Sequence, residues 1–250
     1  MRVFTEQPPR LRTFVVPGNS DPALVFLHGL GSAGVPAFGA LAVDPAFEGR
    51  TRVLPDLLGC GYSDRPHDLG YSLDDHAAAV ADLLDRQQLT SVDLVGHSLG
   101  GSIAVVLAYR RPDLVGRLIV LEPNLLPWDG TASVDIARQS EARFVQSGLA
   151  ALIADADPEW ASTLRITDPV ALHRTAVGLC VGPEPTVQSM LESLTVSRLF
   201  VYGARTGAPS QEHRLASAGV HFACIADAGH VMMADNREGV VEALRAGLLL

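Results

Sequence analysis

The segment from Ser91 to Arg110 constrains this chain more than any other. An apolar run, Val92-Asp93-Leu94-Val95, passes through Gly96-His97-Ser98-Leu99-Gly100-Gly101 straight into a helical pattern. A strand that becomes a helix across one serine leaves almost no room at the turn. Glycines two before and two after that serine let neighbouring backbones approach, and the serine itself is expected in a strained conformation. Its hydroxyl then stands above the strand end, and the helix N-terminus aims free N–H groups at negative charge developing there. A bare G-x-S-x-G says little; between a strand and a helix it marks Ser98 as a nucleophile.

The rest of the chain repeats that alternation. Strand patterns occupy 11–16, 23–27, 52–54, 91–95, 117–121, 197–202 and 221–225, with helical patterns at 72–88, 98–110, 210–218 and 238–249. Ser72 and Asp75 have the spacing of a capping box. Strands alternating with helices imply an α/β fold: a mostly parallel central sheet with helices on both faces. From 127 to 195 no strand pattern occurs. Asp157-Pro158 and Asp168-Pro169 each read as an N-cap followed by proline at the first helical position. The expectation is a helical cap of about four short helices at 127–195, set into a core built from 1–126 and 196–250.

The 250 residues are 48% hydrophobic and 19% charged, ample for one large core. A formal net charge of −9 argues against nucleic acid and anionic membrane as partners, since both call for basic patches. Cys60, Cys180 and Cys224 are too few and too scattered for a disulfide framework or a metal site. Met1 to Arg10 has no apolar leader-like run, and no stretch of the ~18 apolar residues that span a bilayer occurs. A cytoplasmic protein with reduced thiols is expected. The oligomeric state is not legible.

His230 is the candidate general base. It lies on a glycine-containing loop after the last strand pattern, and in a parallel sheet such loops gather at the edge where Ser98 sits. His28 and His97 flank the site. Each is either in reach of substrate or a scaffold imidazole satisfied locally.

With these segments in place, the chain resembles the α/β-hydrolase fold superfamily over nearly its whole length. Leu27-His28-Gly29-Leu30-Gly31 looks like its HG motif, Asp56-Leu57-Leu58-Gly59-Cys60-Gly61-Tyr62-Ser63-Asp64 like its D-x-x-G-x-G-x-S turn, and Ala228-Gly229-His230 like its histidine loop. The resemblance implies an oxyanion hole made by the backbone N–H groups of Leu30 and Leu99. The chain departs from the pattern at the acid. Many relatives carry it in a G-x-x-D-like segment, here Tyr202-Gly203-Ala204-Arg205-Thr206-Gly207, which has no carboxylate. Glu122 closes the strand at 117–121, the sixth in the superfamily's count, 24 residues after Ser98. It either orients His230, as in the haloalkane dehalogenase subgroup whose acid also follows strand six, or is a solvated carboxylate at a strand end.

A serine at this turn excludes the aspartate-nucleophile chemistry of dehalogenases and epoxide hydrolases. Ser98 is expected to attack an acyl carbonyl of a small-molecule ester, lactone or thioester and form an acyl-enzyme, without metal or other cofactor. The same triad also serves carbon–carbon bond hydrolysis, lyase chemistry, or a ligand receptor that turns over slowly. Leu126, Trp128 and His28 are the expected substrate contacts. Leu125, Phe144, Leu149, Ile153 and Trp160 are available for the pocket, although helical spacing equally suits them to the core of the cap.

Overall fold

The computed structural model describes residues 9–250, so all but the last two of Met1–Arg10, the stretch examined for a leader, lie outside it. Seven strands form one sheet in the order β1-β3-β2-β4-β5-β6-β7. They are β1 (Thr13–Val16), β2 (Ser20–Leu27), β3 (Arg50–Pro55), β4 (Val92–His97), β5 (Val115–Leu121), β6 (Ser197–Gly203) and β7 (His221–Ile225). Only β1 runs antiparallel to its neighbour. The strand that precedes Glu122 is thus the fifth of those described.

Burial on both faces explains why the central strands read as unbroken apolar runs. Successive side chains point to opposite faces. Val25 and Leu27 of β2 join Leu94, Leu118 and Phe200 beneath helices α2 (Leu73–Arg86) and α3 (Leu99–Arg110). Leu24 and Phe26 join Val95, Ile119 and Val201 on the other face, with helix α1 (Gly34–Ala42) and the terminal helix, Arg237–Gly247. Ser72 caps α2 through the reciprocal bonds expected with Asp75.

Everything helical between β5 and β6 falls in 131–193. Helix α4 spans Thr131–Ala137; α5 (Glu141–Arg143) continues through a wide π turn at Phe144–Gly148 into α6 (Leu149–Asp155); α7 (Pro158–Leu164), α8 (Pro169–Val181) and α9 (Val187–Ser193) follow. That makes five helical runs where four were expected. Asp157 and Asp168 cap α7 and α8 as their spacing implies. Helices α4, α7 and α8 and the π turn share a small core of Ile136, Phe144, Leu164, Leu172 and Ala176, whereas Val187, Met190 and Leu191 of α9 join the main core. Helix α10 (Glu212–Ser217) joins β6 to β7, and α11 (Met232–Asp235) precedes α12 (Arg237–Gly247). Among the described residues no helix is long and apolar enough to cross a membrane.

Asp93 is the buried polar residue that ties three strands together. Its carboxylate, 3% exposed, meets Arg50 of β3 and Arg117 of β5, the latter at 3.2 Å. Removing one member of such a cluster strands the others' charge. Asp93→Ala is expected to lower unfolding free energy by roughly 2–4 kcal/mol in urea titrations.

Candidate active site

The sheet order places a switch point between β2 and β4, because the chain crosses from β2 to β3 on one side and then returns to β4 on the other. The loops leaving these two strands flank the crevice where open α/β sheets bind ligands. Ser98 leaves β4 at φ 53°, ψ −121° and begins α3. A Cβ at Gly96 would lie 2.3 Å from the Gly100 carbonyl oxygen, and one at Gly100 would lie 2.2 Å from that of Leu27. Both glycines of the motif are therefore required by backbone contact.

The loop after β2 lies against the nucleophile: a Cβ at Gly29 would come within 3.5 Å of Ser98 Cβ. The backbone N–H groups of Leu30 and Leu99 have no acceptor among the described residues. They remain available to an oxygen at the site. The Leu30 carbonyl is held by Trp160 Nε1–H at 3.0 Å.

Glu122 leaves β5 at φ 44°. Its Oε2 lies 2.7 Å from His230 Nδ1, and its Oε1 accepts the Gly203 N–H at 2.8 Å. The nearby Thr206 hydroxyl also favours the charged carboxylate. Burial pushes the carboxyl upward, but His230, Gly203 and Thr206 outweigh it and hold Glu122 below the ordinary glutamate range. The segment that lacks a carboxylate thus contributes donors to Glu122 instead. Thr206 stands where a G-x-x-D pattern has its acid, which is the sequence signal that could have found it.

His230 and Ser98 are not joined by a hydrogen bond in this structure. They are linked through His97, whose Nε2–H donates to the His230 carbonyl at 2.8 Å and whose ring lies 4.8 Å from the His230 ring. Such nucleophile–base contacts are often loose before a ligand closes the site. Burial, then the neighbouring His230, lowers the His97 pKa to about 3, so His97 stays neutral. The loop before His230 is tied by Asp235, which accepts the Gly229 N–H at 2.8 Å and pairs with Arg205.

His28 requires a correction. It is fully buried, and its Nε2 accepts the Leu57 N–H at 2.9 Å, which puts the proton on Nδ1 facing the Gly29 carbonyl at 2.8 Å. It has nothing left for a substrate and is scaffold. Sequence carries no measure of exposure that separates the two roles. Leu126 and Trp128 are exposed, on the stretch joining β5 to α4, where the Trp128 N–H donates to the Cys180 carbonyl. Leu125 and Phe144 are buried, while Leu149, Ile153 and Trp160 are half-buried around the helical core.

A family model for the alpha/beta hydrolase fold matches residues 22–179. The chain belongs to the α/β-hydrolase fold family. Among curated relatives, a 2-hydroxymuconate semialdehyde hydrolase from Pseudomonas sp. (strain CF600) is 34% identical over 172 residues, which cover 67% of this chain and 54% of that protein. The likeness therefore spans about half of the relative's length. A putative aryl esterase from Burkholderia cenocepacia has the same fold at TM-score 0.78 and 17% identity, covering 96% of this chain and 94% of the other. An esterase from Thermogutta terrifontis matches at TM-score 0.77 and 19% identity, covering 96% and 93%.

The depressed Glu122 pKa fixes a sign. Its charged form stabilises the fold above the unfolded glutamate value of about 4.3, and that contribution is lost as pH falls through the lower folded value. Glu122→Gln is expected to be less stable than wild type near neutrality. The gap should narrow as pH falls below the unfolded glutamate value of about 4.3, as read by urea denaturation across that range.

Proposed function

We propose that this α/β-hydrolase family member is a serine hydrolase that cleaves a small-molecule carboxylic ester, lactone or thioester. The observation that carries the reading is the 2.7 Å Glu122–His230 pair on the rim where Ser98 leaves β4. In this mechanism His230 Nε2 takes the Ser98 proton as Oγ attacks the acyl carbon. The Leu30 and Leu99 amides stabilise the oxyanion, and His230 returns the proton to the leaving group. Water activated by the same imidazole then releases the acid. Glu122 holds the tautomer and stabilises the imidazolium. The helices of 127–195 serve as the cap over the crevice, with Leu126 and Trp128 as candidate contacts for the acyl substrate.

A second reading is carbon–carbon bond hydrolysis. It has support from the 34% identity to a protein named 2-hydroxymuconate semialdehyde hydrolase. The two readings share Ser98, His230 and Glu122 and differ in products: an ester gives an alcohol and an acid, whereas a cleaved carbon–carbon bond leaves a C–H where the second carbon was attached.

A fluorophosphonate is expected to label Ser98 covalently, and Ser98→Ala to abolish labelling. Glu122→Gln should lower kcat on chromogenic esters by about 10³–10⁴-fold. Well-folded wild-type protein that resists the probe and leaves a chain-length series of esters intact would sink the reading.

A further inference from the structure

We infer that Trp160 is a positioning residue for the oxyanion hole, clamping the Leu30 amide from the helices between β5 and β6. The inference rests on the serine-hydrolase reading and goes beyond it by naming what aims one of its two donors.

A backbone N–H can stabilise an oxyanion only if its direction is fixed before charge appears. The Leu30 N–H belongs to the Gly29–Leu30 peptide, whose carbonyl points the opposite way in a trans plane. That carbonyl accepts from His28 Nδ1–H at 2.8 Å and from the Ser32 N–H at 3.2 Å. The preceding plane is thus anchored from the sheet. The plane on the other side of Leu30 ends in the Leu30 carbonyl, and Trp160 Nε1–H at 3.0 Å holds it. With both flanking planes held, Leu30 has no free dihedral left.

The Trp160 clamp has a firm base. Asp157 caps α7 and accepts the backbone N–H of Trp160 itself at 3.0 Å. The loop also has no slack against α7. Gly31 sits at φ 66°, and a Cβ there would meet Leu164 at 2.6 Å and Trp160 Nε1 at 3.0 Å. The Leu30 side chain packs against the cluster of Phe144, Leu164 and Leu172 and also against the main core beneath α2 and α3. The residue that offers the amide is therefore held between the helical segment and the sheet, while the nucleophile stands on the sheet alone. A shift of α7 relative to the sheet would pull on one oxyanion donor through the Leu30 carbonyl and leave the Leu99 donor, at the start of α3, in place.

Two substitutions in the full-length protein separate this role from packing. Trp160→Phe keeps an aromatic ring and removes the donor. Trp160→His loses most of the apolar surface, but its Nε2 lies the same number of bonds from Cα as Trp Nε1 and restores the donor. The expected result for Trp160→Phe is a kcat lowered roughly 10- to 100-fold, as for a displaced donor, with KM within about twofold. Affinity for a trifluoromethyl ketone, which forms the tetrahedral adduct, should fall with kcat. Trp160→His should recover much of the loss. A Trp160→Phe enzyme with wild-type kcat, or one more active than Trp160→His, overturns the inference and leaves the hydrolase reading standing. Wild-type protein inert to both fluorophosphonate and esters removes that reading, and the inference with it.

Discussion

A stair of backbone hydrogen bonds across the C-terminal edge of the sheet holds the site. The Ser98 N–H donates to Leu121, the Glu122 N–H to Val201, and the Ala204 N–H to Ile225. In each pair, the first residue past one strand is tied to the next strand, at or within two residues of its end. Residues 98, 122 and 204 are thereby lifted to a common rim although the sequence separates them widely. Two of these departures are strained. Ser98 and Glu122 have φ of 53° and 44°, a conformation that costs about 1–3 kcal/mol at a non-glycine residue. The strain persists because the parallel strands beneath leave the backbone no other exit. Both residues turn away from the strand direction at the point where their side chains are needed above the sheet.

The stair also explains how a carboxylate after β5 can serve a histidine after β7. Glu122 emerges beside β6, so its carboxylate lies over the first turn of the chain that leaves β6. Gly203 of that turn donates to it, and the nearby Thr206 hydroxyl favours its charge. A buried carboxylate needs about this number of donors to stay ionised. The turn that carries an acid in many relatives has here become the seat for an acid from the neighbouring strand. The proton-orienting chemistry survives the relocation because it depends on where the oxygen lies, not on which strand delivers it.

Much of this was legible in the sequence where it rests on local rules. The glycines around Ser98, the Ser72–Asp75 capping box and the Asp-Pro helix starts are short-range steric or hydrogen-bond requirements, and each was found where its spacing put it. Helix α1 was not found, because Gly34, Pro36 and Gly39 interrupt the apolar period that identifies a helix. The role of His28 is not legible, because an HG dipeptide in a crevice loop looks the same whether the imidazole faces solvent or the core. Trp160 read only as pocket or cap lining. Its partner is the carbonyl of a residue 130 positions away, and backbone acceptors leave no mark in composition or periodicity.

The three histidines near the crevice divide along a physical line. His28 and His97 are buried, and burial lowers the pKa of each, for His97 to about 3. His97 is therefore neutral across the ordinary working range, burial disfavours the charged form of His28 in the same direction, and each has one N–H committed to a backbone carbonyl. Imidazoles whose charged form is disfavoured by burial make good struts, since the loops they hold are less prone to shift with proton transfer nearby. His230 differs in the two respects that matter for the proposed chemistry: its side chain is half exposed, and its Nδ1 is paired with a carboxylate rather than a carbonyl. A carboxylate partner stabilises the imidazolium that a proton transfer creates, whereas a carbonyl partner chiefly fixes direction. The same side chain therefore acts as strut or base according to what faces its second nitrogen and how much water reaches it. At this rim the sheet supplies both environments within one ring-to-ring contact of 4.8 Å.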